Sequence, residues 1–549
     1  MRKKLNISVI AIMLLLVSQF TFAQKKGQNE LPRPKLVVGI VVDQMRWDYL
    51  YRYYDRYQND GFKRMLNEGF TCENTFIDYV PTVTGIGHSS VYTGTVPAVH
   101  GIAGNDFIIR ATGETMYCAG DDKVETVGSS SKAGKMSPRN LLSTTIGDEL
   151  KLATNFRSKV IGIALKDRGA ILPVGHAADA AYWFDSSTGG WITSTYYMNQ
   201  LPEWVKKFNS QKLPEKYLKQ DWNTLYDIKT YVQSTADNTP YEGLFDGQEA
   251  PVFPIKTSHM FKKDLGILRT TPFGNTFTLD MAKTTIENEK LGQGSVTDML
   301  AVSLSSTDYI GHKFGVNAIE IEDTYLRLDK DLADFFKFLD QKIGKGEYTV
   351  FLTADHGAAH NIKFSVDNKL LSSNWSASKV QREMNKRLEE TFKVKDLVLS
   401  IKNSQVHFNY TILNGNKLDE DEVRKVCTNY LKTQPEIAFV IDLNKIGDAA
   451  VPEEIKKRVV NGYNQHRSGG IQIVLNPAVF SSGSSGTSHS AWNPYDSHIP
   501  LVWMGWGIEK GRTNKQTHMT DIAPTVSALL RIQMPNGSIG HPIEEVMKK

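Results

Sequence analysis

Five stretches of this chain are apolar on both faces and end abruptly in polar residues: KLVVGIVVD (35–43), KVIGIALKDR (159–168), DMLAVSLSSTD (298–308), YTVFLTADH (348–356) and IPLVWMGWG (499–507). A strand with one wet face alternates apolar and polar residues, so these runs belong to strands covered on both faces. Helices must supply the cover. SPRNLLSTTIGDELKLAT reads as a helix with Ser137 as N-cap and Pro138 at its first position. IEDTYLRLDKDLADFFKFLDQKI spaces Tyr325, Leu328, Leu332, Phe335, Phe336 and Leu339 by threes and fours, giving one apolar stripe. The expected fold is α/β, a mostly parallel central sheet with helices on both faces.

The first 23 residues carry Arg2, Lys3 and Lys4, an apolar run from Ile7 to Val17, and small or polar residues up to Ala23. That pattern is a secretory signal, too short at its apolar centre for a stable membrane anchor. Its removal takes away three bases and no acid, so the formal charge of +4 falls to +1, which leaves no balance suited to nucleic acid. The mature chain, 24–549, reads as a single catalytic domain that is periplasmic or secreted and monomeric, with insertions at about 186–290 and 361–480 capping the site. The second insertion carries its own helix in DEDEVRKVCTNYLKT and a strand in GGIQIVL. Three cysteines, Cys72, Cys118 and Cys427, allow at most one internal disulfide.

Polar residues gather where the apolar runs stop: Asp43, Lys166 with Arg168, Asp308, and Asp355 with His356. Open α/β sheets bind ligands in the crevice at the carboxyl ends of their strands. His312, four residues after Asp308, shares its face if the chain turns helically, and His489 lies in a Gly/Ser loop before the last strand. One such Asp alone is an ordinary helix cap and one such His an ordinary hydrogen-bonded residue. Three of each at strand ends make a metal-binding set suited to zinc, with manganese or magnesium tolerated where oxygen dominates.

The segment VPTVTGIGHSS (80–90) puts Thr82 and Thr84 on a strand-to-helix turn, with Gly85 relaxing the backbone and the amides that follow open to an anion; either hydroxyl becomes a nucleophile only with a base or a metal beside it. His88, His100, His360 and His498 read as structural, with His360 close enough to Asp355 and His356 for a supporting role.

The order Asp43, Thr84, Asp308-x-x-x-His312, Asp355-His356, His489 resembles the alkaline phosphatase superfamily. So do LVVGIVVDQMRWDYLYRYY, TPFGNT, STDYIGHKFG, TADHGAAH, YDSHIPL and HMTDIAPTVSALL, over a span from about Pro34 to the C-terminus. Within that superfamily the chain is similar to secreted, phosphate-irrepressible bacterial phosphatases, phosphate monoesterases near the nucleotide pyrophosphatase/phosphodiesterase branch. The resemblance implies two Zn2+ ions about 4 Å apart, one held by Asp43, Asp355, His356 and the Thr84 oxygen, the other by Asp308, His312 and His489. It also implies Thr84 as the nucleophile that becomes a phosphothreonine, with Asn105, Lys166 and Arg168 binding the remaining phosphoryl oxygens. The substrates are then small-molecule phosphate monoesters, whose two charges the added cations favour over the single charge of a diester.

Three other functions stay in view. A phosphodiesterase or nucleotide pyrophosphatase would use the same metals and nucleophile. A sulfatase needs Cys or Ser followed by x-Pro-x-Arg, and Thr84-Gly85-Ile86-Gly87-His88 departs from that at every point. A receptor that only binds phosphorylated ligands would not need a complete catalytic set.

Overall fold

The computed structural model describes residues 31–548, so the expected signal at 1–23 lies outside the described residues. Residues 34–549 form one compact unit. All five apolar runs contain strands of one eleven-stranded sheet. Its spatial order is β9 (His498–Ile499), β2 (Phe70–Phe76), β10 (Leu501–Gly505), β8 (Tyr348–Thr353), β1 (Leu36–Val42), β7 (Asp298–Leu304), β4 (Val160–Ala164), β5 (Ala180–Asp185), β6 (Gly190–Ser194) and β3 (Thr126–Val127), with β11 (Gly511–His518) beside β2.

The centre is parallel from β8 through β1, β7 and β4 to β5, with Val38 of β1 opposite Val350 on one side and Leu300 on the other. Every residue of β1 is buried, as a run without alternation requires. Both flanks are antiparallel: β10 on β8 and β6 on β5. The IPLVWMGWG run therefore points against the other four. Its strand starts at the end where β8 finishes, with Leu501 opposite Thr353, because the preceding His489 loop already lies at that end and the chain must run back from it.

Helix α1 (Thr84–Thr93), helix α2 (Ser306–Phe314) and helix α3 (Ile319–Leu339) follow strands or turns at this end. The α3 stripe is buried as spaced, from Tyr325 to Leu339. The helix expected from Ser137 begins later, at Ile146, where Thr145 accepts from the Asp148 amide and Asp148 returns the bond to the Thr145 amide. That reciprocal box outcompetes the Ser-Pro start, and the Ser137 hydroxyl donates to Asp121 instead, at 2.6 Å.

The ends of the 186–290 segment belong to the core. β6 is a strand of the main sheet, and the helix Phe273–Glu289 packs on it, with Phe277 stacked 4.9 Å from Trp191. The 361–480 segment builds a separate antiparallel sheet in the order Val398–Lys402, Gln405–Phe408, Ile471–Leu475, Ile437–Asp442. Its apolar side shares a cluster with Met384 and Leu388 of the helix Ala377–Phe392 and Val423 of the helix Glu420–Leu431. Cys72, Cys118 and Cys427 are buried free thiols. Among the described residues no helix is long and apolar enough to cross a membrane.

Candidate active site

The parallel centre delivers its strand ends to one place. Asp43 follows β1, Lys166 follows β4, Asp308 sits in the first turn of α2 after β7, and Asp355 and His356 follow β8. His312 lies one turn after Asp308, with Nε2 at 3.2 Å from Asp308 Oδ1. His489 reaches in from its loop, 3.6 Å from the same oxygen and 3.2 Å from His312 Nε2. His356 Nε2 stands 3.4 Å from Asp355 Oδ2 and 3.7 Å from Asp43 Oδ1.

The three histidines present the same nitrogen. Each uses Nδ1 on a backbone carbonyl: His312 on Thr487, His356 on Gly357 and His489 on Thr82, at 2.9, 3.0 and 2.7 Å. A carbonyl only accepts, so each Nδ1 carries the proton and each Nε2 lone pair faces the carboxylates. Burial holds His356 and His489 below the ordinary imidazole range, as neutral rings, and His356 and His312 push His489 down further.

Three aspartates share this pocket with one ammonium. Lys166 Nζ donates to Asp43 Oδ2 at 2.7 Å and to Asp308 Oδ2 at 2.6 Å. Burial and the neighbouring Asp355 raise Asp43 well above the usual carboxylate range, with Lys166 opposing them. Asp43 Oδ1, Asp355 Oδ2 and His356 Nε2 are buried with no hydrogen-bond partner. Buried ligand atoms left without partners, in a site with more carboxylates than cations, fit divalent ions. Asp308, His312 and His489 bring one ligand atom each within 4.8 Å of one another, as do Asp43, Asp308 and His356.

Thr84 opens α1, and its hydroxyl accepts from Lys166 Nζ at 3.2 Å. Thr82 is turned away, its hydroxyl donating to the Ala491 carbonyl at 3.0 Å. Gly85 is an ordinary helical residue whose amide donates to Asn105 Oδ1 at 2.7 Å, and the Gly87 amide bonds to Val83 O; neither amide is free for a phosphoryl group. With Oδ1 taken, Asn105 offers only its Nδ2 donors. Gly87 matters for clearance: a Cβ there would stand 2.6 Å from Asp355 Cβ. Arg168 donates from Nη1 to the Tyr117 hydroxyl at 3.0 Å, and its Nε is buried without a partner.

Sequence reasoning missed two residues that hold this site. Gln44, at φ 64°, donates its amide to Asp355 Oδ1 at 3.1 Å and its side chain to Asp308 Oδ1 at 2.7 Å. His88, read as structural, is bonded to Ser303 and the Thr84 carbonyl, yet its Nδ1 also lies 3.4 Å from Asp355 Oδ2. His100 and His498 are hydrogen-bonded away from the site, and His360 bonds Asn317.

A family model described as type I phosphodiesterase / nucleotide pyrophosphatase matches residues 37–504. The chain belongs to this family. It is 51% identical to alkaline phosphatase PafA of Elizabethkingia meningoseptica, over 97% of this chain and 98% of that protein. It is 52% identical to alkaline phosphatase PhoV of Synechococcus elongatus, over 99% and 100%. A protein named calcium-transporting ATPase from Myroides odoratus is 58% identical over 96% and 97%. The crystal structure of wild-type PafA superposes with a TM-score of 0.93, covering 95% of this chain and 100% of that one. The type I phosphodiesterase family chain described here is thus an enzyme of the alkaline phosphatase superfamily, with the α/β fold expected of it.

Proposed function

We propose that this chain is a secreted two-zinc phosphatase that hydrolyses phosphate monoesters through a covalent phosphothreonine at Thr84. The observation that carries the reading is the Thr84 hydroxyl, held by Lys166 among six metal-type residues, three of which leave a buried atom without a partner: Asp43 Oδ1, Asp355 Oδ2 and His356 Nε2. Asp43, Asp355, His356 and Thr84 would hold one ion, and Asp308, His312 and His489 the other. When bound, the ions supply Lewis acidity that favours anionic oxygen at the nucleophile and the leaving group.

The chain's own residues account for the rest. A threonine hydroxyl is a weak nucleophile at neutral pH, and the Lys166 ammonium beside it favours its anion. Thr84 Oγ loses its proton to solvent and bonds to phosphorus as the ester P–O bond breaks, and the leaving oxygen takes a proton from water and departs as the alcohol on the Asp308, His312, His489 side, where His312 is exposed. Water then attacks phosphorus from that side, the Thr84 P–O bond breaks, and inorganic phosphate leaves. Two in-line displacements give net retention. Asn105 Nδ2, Lys166 and Arg168 offer donors to the phosphoryl oxygens, where charge accumulates during transfer.

A phosphodiesterase would keep the same nucleophile. The buried Lys166 and the Arg168 guanidinium favour the monoester instead, since only a dianion uses the extra positive charge. The test compares kcat/KM for an aryl phosphate monoester and its methyl diester on metal-loaded protein. A strong monoester preference supports the proposal; a diester preference moves the chain to the phosphodiesterase activity.

A further inference from the structure

A cavity of about 250 Å³ lies between the 361–480 sheet and the loops of the active site. One wall is Val80 and Pro81, the lead-in to Thr84; another is the loop from Ser488 to Trp492, which carries His489. One face of the His489 ring is covered by His356, stacked at 3.6 Å between centroids. The ring therefore reaches the cavity by its other face or its edge. Of the six candidate ligands only His489 lines this cavity; its side chain is 8% exposed, whereas Asp43, Asp355 and His356 are fully buried.

The lining is uncharged and mostly apolar, with Asn403, Gln472, His489 and four serines as its polar members. Trp375, Ile401, Ile473, Phe480 and Trp492 contribute most of its bulk, and no Asp, Glu, Lys or Arg lines it. The amides on the wall spend their donors on protein carbonyls, Asn403 on Ala103 and Asp106, Gln472 on Ser404 and Ile473. A charged group entering here would lose water and meet no counter-charge. The Trp375 indole N–H is buried without a partner and is the one ring donor on offer. An apolar cavity of roughly 150 Å³ takes one benzene, so this one has room for one or two rings.

We propose that this cavity is the leaving-group subsite and takes the uncharged aryl or alkyl part of a phosphate monoester. The inference rests on the monoesterase reading, which puts the departing oxygen beside His489. It also gives the 361–480 segment a role, because Ile401 and Ile473 of its sheet supply part of the wall.

The test fills the cavity in the full metal-loaded protein, by Ala377→Phe from the half-buried start of the helix Ala377–Phe392 and separately by Ile401→Trp from the sheet. Two readouts are taken: binding of 2-naphthol by its own fluorescence, and kcat/KM for 2-naphthyl phosphate and methyl phosphate. The expected result is weakened naphthol binding and a fall of about tenfold or more for the naphthyl ester, with methyl phosphate within about twofold. Equal losses on both esters, or naphthol binding unchanged by both fillings, would overturn the proposal. If the parent protein binds naphthol in a filling-sensitive way yet cleaves neither ester, the cavity's ligand class stands and the monoesterase reading falls.

Discussion

At the scale of single residues, Lys166 sets the charge balance. Burial alone would lower its pKa, but Asp308 and Asp43 more than offset that and hold it above its ordinary value, so it is a cation throughout the working range. Lys166→Met is expected to lower kcat/KM for an aryl monoester by about 100-fold or more and for the methyl diester by much less; equal losses would make it a scaffold for Asp43 and Asp308 only. Thr84→Ala should abolish turnover, by at least about 1,000-fold, while inorganic phosphate still binds in an equilibrium titration. Five of the candidate ligands were legible because each ends an apolar run or follows one at helical spacing, and His489, in its Gly/Ser loop, only through the order of the motifs. Gln44 was not: its left-handed φ is an uncommon one outside glycine and asparagine, and nothing in VVDQM signals it. The complementary signal is Gly311, where a Cβ would meet Gln44 Oε1 at 1.9 Å, a contact visible only once the fold is known.

Elements show a different balance. β1, β4, β7 and β8 could be read directly, since a strand covered on both faces leaves an unbroken apolar record. Direction could not: β10 is an apolar, buried run like the parallel strands and runs against them because of where the His489 loop deposits it. Helix α3 was legible from its apolar stripe, with no side-chain cap at its start. Between Ser137 and Ala153 two capping signals competed, and the reciprocal Thr145 and Asp148 bonds won. Thr145→Ala is therefore expected to destabilise the fold by about 1 kcal/mol in denaturant melts, with kcat/KM unchanged; Ser137→Ala should leave the helix start where it is.

For the whole molecule, buried neutral histidines away from the metal ligands make stability depend on acid. Burial lowers His100 to about 3 and His407 to about 4. Their unfolded value is about 6.5, so between these limits the unfolded chain binds more protons and acid favours unfolding. Melting temperature of chelator-treated protein should fall from about pH 6.5 toward pH 4, and His407→Gln should flatten part of that slope; a level profile through this window would contradict the assignment. The 186–290 segment was the least legible part of the chain, since it mixes core elements with loops; in 361–480 the helix Glu420–Leu431 and the strand Ile471–Leu475 were legible, but not the separate sheet that strand joins.

The central claim is that Thr84 takes the phosphoryl group before water does. It is tested most directly by hydrolysing a chiral, isotopically labelled phosphorothioate monoester in labelled water and determining the configuration of the product. Two displacements predict retention at phosphorus. Inversion would mean that water attacks the substrate in a single step and that Thr84 is never phosphorylated.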